Sequence, residues 1–109
     1  MQIEQLEFFN MGLYKWLPCE PDICLVLNDI YVTEVDEKLI IHLANSQVKK
    51  LRKGIRSSFP LYLSIYKDKE FLYLALKVTN VEFENPQAPI TKAVITVQEL
   101  TEDENKEIG

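Results

Sequence analysis

The chain has 109 residues, 47% of them hydrophobic and 27% charged, which is the size and composition of one globular domain. Its longest apolar runs are about five residues, whereas a membrane-spanning helix needs about 20, so no membrane partner or span is expected. The first residues, MQIEQLEFF, carry glutamates where a signal peptide has lysines, which predicts a cytoplasmic location.

The net charge of -5 is concentrated near the end of the sequence. The last eleven residues hold five acids and one base, which leaves 12 acids and 11 bases in residues 1–98. The body of the protein is therefore nearly neutral, so the overall acidity does not exclude nucleic acid as a partner. We predict a single compact domain over residues 1–98 and an acidic, disordered tail over residues 99–109.

The elements before the helix are mainly predicted as strands. Residues 2–17 suit an extended or mixed segment, because polar residues and a glycine interrupt their helical spacing. Residues 23–27 form an apolar run that is typical of a strand buried on both faces. Residues 30–35 and 39–43, separated by a polar turn, predict a hairpin.

One short helix is predicted near residues 46–54. Its apolar stripe consists of Val48, Leu51 and Ile55. Asn45 or Ser46 can accept a hydrogen bond from the first turn and so cap the N-terminus. Gly54 is placed to end the helix in a left-handed conformation.

Five basic residues of the same stretch point away from the apolar stripe. They are the candidate binding residues Lys49, Lys50, Arg52, Lys53 and Arg56. Such a patch can neutralise phosphates and therefore suits contact with nucleic acid. The alternative is that these charges only solvate the helix and complement the negative end of its dipole.

The clearest pattern in the sequence is a hairpin over residues 61–78 with a polar loop at 67–70. Placing Tyr66 opposite Phe71 sorts the other side chains onto two faces. The aliphatic face consists of Leu61, Leu63, Ile65, Leu72, Leu74 and Leu76. The aromatic face consists of Tyr62, Ser64, Tyr66, Phe71, Tyr73 and Ala75.

The aromatic face supplies the remaining candidate binding residues, Tyr62, Tyr66 and Tyr73. Tyrosine suits interfaces, because its ring can be buried while its hydroxyl still finds a hydrogen bond. The alternative is that the helix or residues 2–17 cover this face, in which case the tyrosines are structural.

The strands, the single helix and a last strand at residues 90–97 predict an α+β fold that is mainly β. The expected architecture is an antiparallel sheet or a small curled barrel with one short helix.

No residue pattern typical of catalysis or metal binding is present. The one histidine, His42, lies in a predicted strand, and a zinc site at Cys19 and Cys24 would need carboxylates to complete it. We therefore expect no enzyme activity, no cofactor and no metal, and both cysteines as free thiols.

Two functions agree with these observations. The sequence favours a small non-enzymatic binding module that acts on another protein as an adaptor, an inhibitor or an immunity-type regulator. The alternative is a nucleic-acid- or nucleotide-binding β-module that uses the basic helix at 48–56 and the tyrosine face of the 61–78 hairpin. A homodimer is compatible with either function.

Overall fold

The computed structural model describes residues 1–11 and 22–100. Their elements in chain order are β1 (Gln2–Asn10), β2 (Asp22–Tyr31), β3 (Thr33–Val35), β4 (Lys38–Ala44), α1 (Asn45–Ile55), β5 (Leu61–Lys67), β6 (Glu70–Glu84) and β7 (Ile90–Glu99). These strands form one antiparallel sheet in the order β2-β1-β5-β6-β7-β4-β3. The predicted class, mainly β with one short helix, is confirmed.

The sheet curls without closing into a barrel. β2 and β3 stand at its two edges, yet only Val32 separates them along the chain. The Val32 amide donates to the Met1 carbonyl oxygen at 2.8 Å, and the Met1 amino group donates to the Val32 carbonyl oxygen at 2.7 Å. The two edges therefore approach each other at Val32. Helix α1 packs against β2, which is one edge, and against β4, whose second half extends beyond β3.

The main core lies on the inner face of the curled sheet. Strand register places one row of inner side chains across four strands, namely Leu25, Phe8, Leu63 and Leu76. Val48 and Leu51 of α1 are buried against the same core. Burying an apolar side chain of this size stabilises the fold by about 1.5–3 kcal/mol.

The N-terminus of α1 differs in detail from the prediction. The N-cap is Ala44, and neither Asn45 nor Ser46 takes that position. The Ala44 amide donates to Oε1 of Gln47 at 2.8 Å, so a side chain from inside the helix satisfies the backbone that precedes it.

Among the described residues, no helix is long and apolar enough to cross a membrane.

The C-terminal half of α1 also departs from the prediction. Ile55 is exposed, and the buried face of α1 consists of Val48, Leu51 and Gly54. Gly54 lies inside the helix without a positive φ, and Arg56 is the C-cap, so the prediction that Gly54 ends the helix is wrong. A Cβ atom at position 54 would lie 2.7 Å from Sγ of Cys24 and 3.3 Å from Cδ1 of Leu61. This glycine is needed for the close contact between α1 and β2.

We expect Gly54→Ala to destabilise the fold by about 1–3 kcal/mol, because the added methyl group overpacks the contact with Cys24. Intrinsic helix propensity acts in the opposite direction, because alanine stabilises a helix by about 1 kcal/mol relative to glycine. Denaturant unfolding of Gly54→Ala, and of Gly54→Ala combined with Cys24→Ala, measures the effect. The double variant should recover part of the loss. A single variant as stable as the parent would show that the thiol moves aside freely.

Strand β2 is an edge strand, so the prediction that residues 23–27 are buried on both faces is wrong. Ile23 is 53% exposed, and Val26 is exposed as well. The strand also continues through Asn28 and Asp29, where Asp29 has a φ of 52°, and it includes Ile30 and Tyr31. The hairpin predicted for residues 30–35 and 39–43 is therefore formed only by β3 and β4.

The hairpin of β5 and β6 has a tighter turn than predicted. Only Asp68 and Lys69 connect the strands, and both have positive φ, at 53° and 65°. This conformation matches the right-handed twist of paired strands. Tyr66 pairs with Phe71 as predicted, but the register shifts on both sides of Ile65.

Candidate functional site

A cleft of about 810 Å³ lies between α1 and the beginning of β2. All five basic residues singled out from the sequence line it: Lys49, Lys50, Arg52, Lys53 and Arg56. The rest of its lining is Asn10, Asp22, Ile23, Cys24, Gly54 and Ser57. A volume of this size falls within the range of about 300–1,000 Å³ that is typical of ligand sites.

The cleft is strongly cationic. Among the described residues that line it, five are basic and one, Asp22, is acidic, so these residues carry a formal charge of +4 at neutral pH. Within residues 1–11 and 22–100, none of the five forms an ion pair, and the pair that is present joins Lys92 to Glu84. The guanidinium carbon of Arg52 lies 5.1 Å from the ring centroid of Phe83. These positive charges are therefore available to an external anion.

Two of these basic residues also stabilise the helix. Arg52 and Lys53 lie in the last turn, where a cation complements the negative end of the helix dipole by about 0.3–1 kcal/mol. That stabilisation does not neutralise the cations. The structural and the binding interpretations of the basic stretch are therefore compatible.

The buried side chain of Asn10 fixes the C-terminal end of α1. It is 5% exposed, and its Nδ2 lies 3.0 Å from the carbonyl oxygen of Gly54, 3.2 Å from that of Phe59 and 3.3 Å from that of Pro60. Its Oδ1 accepts a hydrogen bond from Sγ of Cys24 at 3.6 Å. One side chain of β1 thus ties the cationic wall of the cleft to β2 and to the segment before β5.

Cys24 is a free thiol, as predicted, and Cys19 lies outside the described residues. Burial raises the pKa of the Cys24 thiol, and the nearby charge of Asp22 raises it further. The thiol is therefore protonated at neutral pH, which suits its role as a donor to Asn10 and makes it a weak nucleophile.

The three candidate tyrosines do not share one face. Tyr62 is 1% exposed, and its ring stacks on that of Phe9 with the centroids 5.8 Å apart. Tyr66 is half-buried and meets Phe71 edge-on, with a centroid distance of 5.1 Å. Tyr73 lies opposite Ile65, on the inner face. The predicted continuous aromatic face is therefore wrong.

The one-residue register shifts in β6 explain this arrangement. Pairing Ile65 with Tyr73 moves Tyr73 to the inner face and leaves Leu72 47% exposed, against the prediction for both residues. The side chain of Leu74 lies outside the described part of the structure. The ring of Phe9 covers Tyr62. For this tyrosine, the contact agrees with the alternative that residues 2–17 cover the aromatic face.

A second cleft, of about 350 Å³, is acidic. The described residues that line it are Glu34, Asp36, Glu37, Leu39, Tyr73, Leu76, Val97, Gln98 and Glu99, among which four are carboxylates and none is basic. It lies beside the beginning of β4, whereas α1 follows the end of β4. No described residue lines both clefts, so the two clefts of opposite charge are separate.

Sequence reasoning identified the cationic wall of the basic cleft and missed the residues opposite it. Asp22 and Ile23 come from an edge strand whose position depends on the whole sheet. The sequence indicated a special role for Asn10 only weakly, because it is a polar residue within an apolar segment. His42 is exposed on β4, and no three His, Cys, Asp or Glu side chains group into a metal site in the parts of the chain that the structure describes.

The chain matches no model of a known protein family, no curated protein and no solved structure. Function is therefore inferred from the geometry and charge of the basic cleft.

Proposed function

We propose that this protein is a small non-enzymatic binding module whose basic cleft takes an acidic segment of another protein. It would act as an adaptor, an inhibitor or an immunity-type regulator. The observation that carries the proposal is the cleft itself, in which five cations surround one carboxylate without ion pairs among the described residues. The free thiol of Cys24 agrees with a reducing, cytoplasmic setting.

An acidic peptide fits the cleft better than a nucleic acid strand for two reasons. The cleft is compact, and its lining includes the exposed apolar side chain of Ile23, with Val26 exposed further along the same strand. A peptide can present carboxylates and an apolar side chain together. Sequence-independent binding of a single strand uses exposed aromatic rings for stacking, whereas Tyr62 is buried and Tyr73 lies on the inner face.

Charge alone supplies only part of the affinity. An exposed ion pair contributes about 0.2–1 kcal/mol, so five pairs supply about 1–5 kcal/mol. Binding at about 1 μM requires about 8 kcal/mol, which leaves a share for apolar contact at Ile23. Binding should therefore weaken with salt without vanishing.

We expect neutralisation of the cleft to weaken binding of a fluorescent Glu- and Asp-rich peptide with a central leucine by at least about tenfold, or 1.4 kcal/mol. The cleft variant combines Lys49→Gln, Lys50→Gln and Lys53→Gln. The control variant combines Lys38→Gln, Lys67→Gln and Lys69→Gln, which removes the same charge outside the cleft. Fluorescence anisotropy at low salt measures both, and the control should stay within about twofold of the parent. Equal losses in the two variants would contradict a localised site.

The same titration with a single-stranded oligonucleotide separates the two partner classes. An oligonucleotide that binds more tightly than the peptide and loses its affinity in the cleft variant would favour the nucleic-acid module. Its affinity should then fall linearly on a log–log plot against salt, with a slope set by the number of phosphates contacted.

A further inference from the structure

The same chain contains a segment whose charge is opposite to that of the basic cleft. The nine residues that follow Leu100 have the sequence TEDENKEIG, with four acids and one base, a net charge of -3. The described residues that line the cleft carry a formal charge of +4. We propose that residues 101–109 occupy the basic cleft of their own chain and compete there with the acidic partner. This inference rests on the proposed function and adds a regulation of the same site.

The distance allows such a contact. Strand register places Glu99 in one row across the sheet with Leu76, Leu63, Phe8 and Leu25. That row comprises four interstrand steps of about 4.8 Å, or about 19 Å in all. Nine extended residues span up to about 30–32 Å. Since Leu25 directly follows Cys24, which lines the cleft, the acidic segment is long enough to reach it.

The charges around Glu99 favour departure of the segment from its own end of the molecule. Glu99 lines the acidic cleft together with Glu34, Asp36 and Glu37. An acidic segment held beside these carboxylates would experience like-charge repulsion. The basic cleft offers the opposite environment within reach.

The proposed competition predicts a measurable change in the apparent affinity for the acidic peptide. If the segment occupies the cleft for two thirds of the time, one third of the molecules can bind the peptide, and the apparent affinity is three times weaker than that of an open cleft. Removing the acidic charge of the segment in the full chain should therefore strengthen binding of the acidic peptide by at least about threefold at low salt. The difference should disappear at about 1 M salt, where the screening length is about 3 Å.

Matched full-length variants test whether charge is the cause. The segment variant combines Glu102→Gln, Asp103→Asn and Glu104→Gln and should reproduce the gain in peptide affinity. The control combines Glu4→Gln, Glu70→Gln and Glu82→Gln, which removes three acids that do not line the basic cleft and should leave the affinity within about twofold of the parent. An equal gain in the control would overturn the proposal in favour of a general effect of net charge.

A direct readout separates this inference from the proposed function. Amide NMR spectra of the parent and of the full-length segment variant should differ at residues 49–57 at low salt and coincide there at high salt. Such differences support the inference even if no acidic peptide binds, which would count against the proposed function alone. Coincident spectra at low salt overturn the inference, whatever the peptide does. Differences that grow with protein concentration also overturn it, because the occupant would then come from a second copy.

Discussion

Replacing Tyr62 by alanine is expected to destabilise the protein by about 3–5 kcal/mol, the usual cost of deleting a buried aromatic side chain. Tyr62 is almost completely buried, and its ring stacks on Phe9. The variant loses both this contact and the apolar area of the ring. Since small domains have a stability of about 5–15 kcal/mol, a large share of the molecules could unfold near physiological temperature.

Tyr66→Ala is the matched control. This residue lies four positions along the same strand and is half-buried, with its ring against the exposed Phe71. We expect it to cost about 1 kcal/mol. Denaturant unfolding of both variants gives the comparison. If Tyr62→Ala kept its stability and lost only partner binding, Tyr62 would be an interface residue after all.

Asn10→Ala should cost about 2–4 kcal/mol, because removing a buried donor leaves several acceptors unsatisfied. The Asn10 amide faces the carbonyl oxygens of Gly54, Phe59 and Pro60, and its oxygen accepts from the Cys24 thiol. Alanine cannot replace any of these hydrogen bonds.

Asn28→Ala supplies the comparison for Asn10, because Asn28 is exposed on β2. It should stay within about 0.5 kcal/mol of the parent. Equilibrium unfolding measures both stabilities, and amide hydrogen exchange reports where the damage lies. Loss of protection in Asn10→Ala should concentrate at the C-terminal end of α1. Uniform loss, or none, would contradict the role of Asn10 as the anchor of the helix.

Local patterns were sufficient to predict the type of fold. Alternation along β5 and β6 and a polar turn between them identified the hairpin, and the pairing of Tyr66 with Phe71 is correct. The apolar stripe and the flanking polar residues placed α1 within one residue at each end. These features depend on neighbours in the sequence, and therefore the sequence can reveal them.

The errors concern features that depend on distant residues. The need for a glycine at position 54 follows from the close approach of Cys24, which lies thirty positions earlier in the chain. The side of the sheet that Tyr73 occupies depends on a register shift, and the exposure of Ile23 depends on the place of β2 at the sheet edge. For the same reason the basic residues were identified together, whereas the cleft that they line was not.

The order of strands in the sheet has a consequence for how the chain reaches its native state. The turns of β3–β4 and β5–β6 are short, but Gln5 pairs with Tyr66 and Lys38 pairs with Thr96. During synthesis, β1 and β2 can pair with each other early, but they lack their neighbour β5. Strand β4 lacks its neighbour β7 until residues Ile90–Glu99 have left the ribosome. Such non-local pairing is typical of domains that fold in milliseconds to seconds. Until then the apolar residues of β1 lack their partners in β5, so this protein is most exposed to aggregation while it is being made.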